Sequence, residues 1–145
     1  MYDRTLVPTD GSEGMKEVID HAVALATEHD AALHGLYVIN TASLTDLPME
    51  SSWEGLNRAL EQEGRTALNE IEQRAVELDH ETSITDGSPA AEIVRYAEEN
   101  DCDLIVMGTH GRSGVGRLIL GSVAERVVRS SSVPVLTIRV SPDSE

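Results

Sequence analysis

Short apolar runs alternate with helix-type apolar patterns along the whole chain, and this alternation constrains the fold more than any other feature. Residues 5–7, 31–39, 104–107 and 133–140 have the apolar content and length of buried strands. Residues 81–85 form a weaker, polar candidate that we expect near a sheet edge. Between these runs, apolar residues recur at helical spacing. The predicted order is therefore β-α-β-α-β-α-β-α-β. Strands that alternate with helices predict an α/β fold with a parallel sheet covered on both faces.

Two helices carry recognisable start signals. Ser51 and Glu54 have the spacing of a capping box. Ser88 followed by Pro89 places a good N-cap residue before proline at the first helical position. The chain of 145 residues has the length of one domain, which we predict to span residues 1–145.

The charge and composition limit what the chain binds and where it works. A net charge of −15 argues against nucleic acid as a partner, because the phosphates would be repelled. No apolar run approaches the roughly 20 residues that span a bilayer, and we recognise no signal segment. The single cysteine, Cys102, excludes an intrachain disulfide and predicts an inert, partly buried thiol. We therefore predict a cytoplasmic protein without membrane insertion.

The acidic surface also contains very little lysine. Lys16 is the one lysine among 11 basic residues. At 1 M salt the Debye length is about 3 Å, so repulsion between surface carboxylates largely disappears. This composition predicts a halophilic source and says nothing about function.

The segment that begins at Gly108 and ends at Ser122 is the feature that points to function. Five glycines occur within residues 108–121, and glycine lets backbone N–H groups approach an anion without a Cβ in the way. The segment leads into a predicted helix at Ser122, where free N–H groups and the helix dipole favour negative charge. Four arginines and one glutamate give residues 108–133 a local charge of +3. These features predict a polyphosphate site.

Other interpretations of this segment compete with a phosphate site. It could be a flexible surface loop, and Ser122 with Glu125 could form only a capping box for its own helix. Gly111 and Gly116 have the glycine spacing of a P-loop, but arginine and leucine follow where lysine and a hydroxyl residue are required. The segment is therefore not a P-loop. No G-x-G-x-x-G follows the first strand, which disfavours a dinucleotide fold of the usual kind.

The glycine spacing resembles that of the universal stress protein family. The pattern G-x2-G-x9-G-(S/T) is met by Gly108, Gly111, Gly121 and Ser122. The opening V-P-T-D-G-S from Val7 and the closing V-P-V-L from Val133 are also similar to that family, so the resemblance covers essentially the whole chain.

The resemblance implies a doubly wound, Rossmann-like sheet of five parallel strands in the order 3-2-1-4-5. It also implies ATP at the point where strand order reverses, and a homodimer through the last strand, whose predicted ends are Val133 and Val140. In the ATP-binding branch, the loop glycines and Ser122 hold phosphates. The residue at the Asp10 position contacts ribose or a metal, and the residue ending the second strand, here Val38, meets adenine. We expect ATP with Mg²⁺.

The predicted site gathers residues at the ends of three strands. Asp10 lies at a strand's carboxyl end and could hold Mg²⁺ or a ribose hydroxyl, although an Asx turn or a helix N-cap is its structural alternative. Pro8 shapes the loop, Thr9 is a weaker candidate, and His110 either touches phosphate or is an exposed loop histidine. We assign no catalytic residue. The predicted nucleotide-binding residues are Pro8, Thr9, Asp10, Val38, Met107, Gly108, His110, Gly111, Arg112, Gly121, Ser122 and Val123.

The leading hypothesis is a stress-response regulator whose bound ATP alters recognition of a protein partner. No base, nucleophile and oxyanion set is visible, so at most slow hydrolysis or autophosphorylation is expected. The other histidines, His21, His29, His34 and His80, show no metal-ligand clustering. One alternative is an adenine-nucleotide-dependent enzyme of a related α/β fold. Another is a nucleotide-free interaction module that regulates a transporter.

Overall fold

The predicted alternation of strands and helices is confirmed. The computed structural model describes residues 2–40, 51–109 and 121–140, with backbone alone for residues 51–54. The elements within these ranges are β1 (Arg4–Thr9), α1 (Met15–His29), β2 (Ala32–Asn40), α2 (Ser51–Arg74), β3 (His80–Gly87), α3 (Pro89–Glu99), β4 (Leu104–Gly108), α4 (Ser122–Ser130) and β5 (Val135–Ile138).

The strands form one parallel sheet in the order β3-β2-β1-β4-β5, as the resemblance implied. The chain builds outward from β1 to β3 and then returns to the other side of β1 with β4. Strand order therefore reverses between β1 and β4, which is where ligands bind in open α/β sheets. The polar strand β3 lies at one edge, as its composition predicted, and β5 lies at the other.

One face of the sheet packs against α1 and α2. Alternate residues of a strand point to the same face, so Val7, Leu33 and Tyr37 share this core with the buried sides of the two helices. Helix α2 approaches β2 closely at Gly35, where a Cβ atom would come within 2.9 Å of Cδ1 of Ile71. Glycine at this position is what allows α2 to pack directly on the strand.

The opposite face packs against α3 and α4. Leu6, Leu36, Ile105 and Met107 form this second core with buried residues of both helices. Cys102 belongs to the same cluster and is 3% exposed. Burial raises the pKa of its thiol to about 11, and the thiol is more deeply buried than the sequence predicted.

Two of the predicted helix starts differ in detail from the structure. Ser88 is the N-cap of α3 and Pro89 follows it, but the Ser88 side chain makes no capping hydrogen bond. In α4 the N-cap is Gly121 and Ser122 is the first helical residue, so the capping box that requires Ser122 as N-cap does not form. The side chains of Ser51 and Glu54 lie outside the described residues.

The last strand is shorter than the predicted run over residues 133–140. It covers Val135–Ile138, because Ser131 and Val133 form a local turn in which the Val133 N–H donates to Oγ of Ser131 at 3.0 Å. Across the described ranges, none of the helices has the length and apolar character needed to cross a membrane.

Candidate functional site

A crevice opens at the carboxyl ends of β1 and β4. The pairing of β1 with β2 continues to Thr9 and Tyr37, whereas its pairing with β4 is confined to the Thr5 and Leu6 positions. The last residues of β1 and β4 are therefore not paired with each other in the described sheet. The predicted binding residues on these two strands lie on either side of this opening.

The turn after β1 holds its side chains by local hydrogen bonds. The N–H of Ser12 donates to Oδ1 of Asp10 at 2.9 Å, and the N–H of Gly11 donates to Oγ1 of Thr9 at 3.1 Å. Gly11 has φ 78°, a conformation that glycine adopts readily. The Asx turn is thus present at Asp10, and it keeps the half-buried carboxylate at the end of β1. A structural role and a ligand role are compatible here.

The two ends of the glycine-rich segment are joined to each other by Thr109. Its carbonyl oxygen accepts a hydrogen bond from the N–H of Gly121 at 2.5 Å, and its own N–H donates to the carbonyl oxygen of Ile138 at 2.9 Å. Thr109 therefore connects the neck of the segment to the last strand. The predicted contacts of His110, Gly111 and Arg112 lie outside the described residues.

Helix α4 begins directly beside this neck. Gly121 has no side chain with which to cap the helix, and the first N–H groups of a helix have no partners within it. The N–H of Glu125 donates to the carbonyl oxygen of Gly121 at 2.9 Å, and this is the first regular hydrogen bond of the helix. Ser122 is exposed at this helix start. The start of α4 is thus suited to receive an anion.

An apolar wall lies on the α3 and α4 side of the crevice. Val38, Met107 and Val123 belong to one hydrophobic cluster, with Met107 buried and the two valines half-buried. Pro8 is two residues beyond Leu6 on β1 and so points to the same face. The predicted binding residues that the structure describes thus lie at the carboxyl end of the sheet.

Sequence reasoning missed three residues that shape the carboxyl end of the sheet: Thr109, Gly14 and Val140. Thr109 lies within the glycine pattern, between two predicted residues, so the pattern itself could have indicated it. Gly14 and Val140 carry no sequence signal, because they meet only through the fold.

A cleft of about 740 Å³ lies between α1 and α2 and extends to the turn after β1, where Gly11 and Ser12 line it. Its floor includes the apolar residues Met15, Ile19 and Leu60, and its rim includes Glu13, which pairs with Lys16 at 3.1 Å. Thr9 is the one predicted binding residue among those that line it. The cleft and the crevice therefore share the turn after β1.

The described residues include no group of three or more His, Cys, Asp or Glu side chains that could hold a metal ion by themselves. His34, which the sequence left without a role, is buried on β2, and its Nδ1 lies 2.8 Å from the hydroxyl of Tyr96 on α3.

The pKa of His34 is lowered from its ordinary value, chiefly by burial. Glu81, whose carboxylate lies 3.8 Å from Nδ1, opposes this shift, and Arg4 adds to it. As pH falls below about 6.5, the unfolded chain takes up a proton at His34 that the folded chain resists. Stability is therefore full above that pH and falls below it.

We expect His34→Gln to reduce this loss of stability on the acid side, because glutamine does not titrate. The free energy of unfolding from urea titrations between pH 5 and pH 8 measures the effect. His21→Gln, at an exposed position of α1, is the matched control. Equal acid-side losses in wild type and His34→Gln would contradict the prediction.

Comparison with known proteins gives a consistent result. The model of the universal stress protein family matches residues 1–139. The universal stress protein MJ0531 of Methanocaldococcus jannaschii is 41% identical over 141 residues, which cover 96% of this chain and 83% of that protein. The solved structure of MJ0577 from the same organism has a TM-score of 0.85 at 30% identity and covers 96% of both chains. A universal stress protein solved in complex with cAMP has a TM-score of 0.68 at 27% identity, covering 95% of this chain and 97% of its own.

Proposed function

The chain belongs to the universal stress protein family, and from that premise we propose that it is an ATP-binding regulatory protein. The nucleotide would lie in the crevice between β1 and β4. The observation that carries the proposal is the meeting of three features there: the Asp10 turn, the end of β4 at Gly108, and the start of α4 at Gly121.

The phosphates would lie against the glycine-rich segment and the first turn of α4. Because Gly121 has no side chain, a phosphate oxygen can approach the N–H groups of Ser122 and Val123. The attraction between these N–H groups and phosphate matters because the chain as a whole has a net charge of −15 and repels anions.

Asp10 fits a role in holding Mg²⁺ together with the phosphates. Mg²⁺ is usually bound through one or two carboxylates plus substrate phosphates and water, so one carboxylate at the crevice suffices. The Ser12 N–H orients that carboxylate at the end of β1. The bound ion would neutralise phosphate charge next to an acidic protein.

The base would pack on the apolar wall formed by Val38, Met107 and Val123. A relative solved in complex with cAMP supports an adenine nucleotide as the ligand class. We favour sensing over turnover, because the sequence shows no base, nucleophile and oxyanion set. The alternatives remain an adenine-nucleotide-dependent enzyme and a nucleotide-free module that regulates a transporter.

Thermal melting in molar KCl with ATP, ADP, AMP, cAMP or GTP, each with Mg²⁺, tests the proposal. ATP at 100 times its dissociation constant should add about 2.7 kcal/mol to the free energy of unfolding. GTP is expected to shift the melting temperature less, because the wall is proposed to receive adenine. The absence of any shift with ATP, together with purified protein that carries no nucleotide, would contradict the proposal.

We also propose that the chain forms a homodimer through β5. The N–H groups of Ile105 and Thr109 donate to the carbonyl oxygens of Pro134 and Ile138, so the even-numbered positions of β5 face β4. The odd-numbered positions, including Thr137, direct their backbone groups toward the open edge. Leu136 on β5 and Val128 on α4 are 37% and 45% exposed, and both lie close to that edge. An unpaired edge strand flanked by exposed apolar residues is suited to pair with a second copy.

Four further points stay predictions: the single domain over residues 1–145, the cytoplasmic location, the halophilic source and the protein partner. Melting in low and in molar KCl also tests the halophilic source. Salt should screen the repulsion between surface carboxylates and so raise the melting temperature of a chain of this charge.

A further inference from the structure

The end of the last strand touches both of the loops that flank the crevice. Beyond β5, the N–H of Val140 lies 3.4 Å from Oγ1 of Thr109, at the neck of the glycine-rich segment. The side chain of Val140 packs against Gly14, the N-cap of α1. Val140 therefore bridges the segment after β4 and the segment after β1.

Gly14 is a glycine because of Val140, and not because of its own backbone. Its φ of −66° and ψ of −13° are ordinary right-handed helical values that any residue adopts. A Cβ atom at Gly14 would overlap Cγ1 of Val140 and lie 3.4 Å from its Cβ. The overlap with Cγ1 is closer than real Cβ atoms come, so with any larger residue at position 14 the side chain of Val140 must shift.

Each side of this contact is connected to predicted nucleotide-binding residues. On one side, Met15 donates its N–H to the carbonyl oxygen of Ser12 at 3.1 Å, and Ser12 in turn holds Asp10. On the other side, Thr109 holds Gly121 at the start of α4. Short hydrogen-bonded paths therefore connect the contact between Val140 and Gly14 to both halves of the crevice.

We propose that the contact between Val140 and Gly14 sets the spacing between the Asp10 turn and the neck of the glycine-rich segment. The last strand thereby positions both halves of the nucleotide site. Val140 and Gly14 are positioning residues, since neither is proposed to touch the ligand. The inference rests on the proposed ATP-binding function.

A double-mutant cycle tests it on the full-length chain. Gly14→Ala forces Val140 outward and is expected to weaken ATP binding at least tenfold. Val140→Ala removes the methyl groups that pack against Gly14 but keeps the N–H that faces Thr109, so it is expected to weaken ATP binding about threefold, less than Gly14→Ala does. The double variant should recover most of the affinity that Gly14→Ala loses, because alanine at position 140 lacks the Cγ1 atom that a Cβ at position 14 would overlap.

Gly55→Ala is the matched control. Gly55 is an exposed position of α2 with nothing within 4 Å of an added Cβ, so this variant should bind ATP as wild type does. Titration calorimetry with MgATP measures affinity, and melting without nucleotide measures the fold. If Gly14→Ala does not fold, Val140→Phe overfills the same contact from the other side, and it too should weaken binding.

The outcomes separate this inference from the function on which it rests. Wild-type affinity in both Gly14→Ala and Val140→Phe would overturn it. Loss of affinity in Gly14→Ala without recovery in the double variant would also overturn it, since the effect would then not pass through Val140. A wild-type chain that binds no ATP overturns the proposed function itself, and this inference with it.

Discussion

Replacing Gly121 with valine is expected to lower the affinity for ATP at least 100-fold while the chain stays folded. Gly121 has φ −66° and ψ 161°, an extended conformation that valine adopts without strain. The variant therefore keeps the backbone and adds three carbon atoms at the start of α4. Those atoms would occupy the space in which a phosphate approaches the first-turn N–H groups. A 100-fold loss corresponds to about 2.8 kcal/mol.

Titration calorimetry with MgATP measures this loss, and melting without nucleotide shows whether the fold survives. Gly55→Val is the control, because it makes the same substitution at an exposed position with open space around it. Unchanged ATP affinity in Gly121→Val would mean that phosphates do not lie against α4. Unfolding of the variant would show instead that the glycine is needed for structure alone.

Replacing Thr137 with proline is expected to raise the dissociation constant of the dimer by about 10-fold to 100-fold. Thr137 is an odd-numbered position of β5, so its N–H faces the open edge and not β4. Proline has no N–H and is tolerated on edge strands. In a symmetric dimer the same bond is lost from both copies, and each is worth about 0.5–1.5 kcal/mol.

Sedimentation over a range of concentrations measures the dissociation constant. Thr137→Val keeps the N–H and the shape of the side chain, and it is expected to remain a dimer. Melting of the proline variant at low concentration checks that β5 still pairs with β4. A proline variant that dimerises as tightly as wild type would place the interface elsewhere.

Local patterns predicted the elements of this fold well because each pattern reflects a contact with the core. The apolar spacing of α1 predicted the buried side that Val18, Ile19 and Ala22 form. The polar composition of residues 81–85 predicted an edge position, which β3 occupies. Strand order was a different matter: it came from the resemblance to a family, since periodicity does not reveal which strands are neighbours.

The structure decides between alternatives where a one-residue shift changes the chemistry. The pair Ser122 and Glu125 has capping-box spacing, yet Gly121 is the N-cap. The helix begins after Gly121 because that residue is held by Thr109, a contact outside the local pattern. The last strand was predicted too long, because its apolar run begins at Val133, which belongs to a local turn with Ser131 and not to the strand.

The sequence by itself determined the succession of strands and helices, their buried sides, and a glycine-rich segment suited to polyphosphate. These are local properties, carried by spacings of two to fifteen residues. Only the tertiary structure decided that Val140 meets Gly14 and that Thr109 joins Gly121 to β5. Those contacts exist because β4 returns beside β1 and β5 follows it, and such an order depends on packing across the whole sheet.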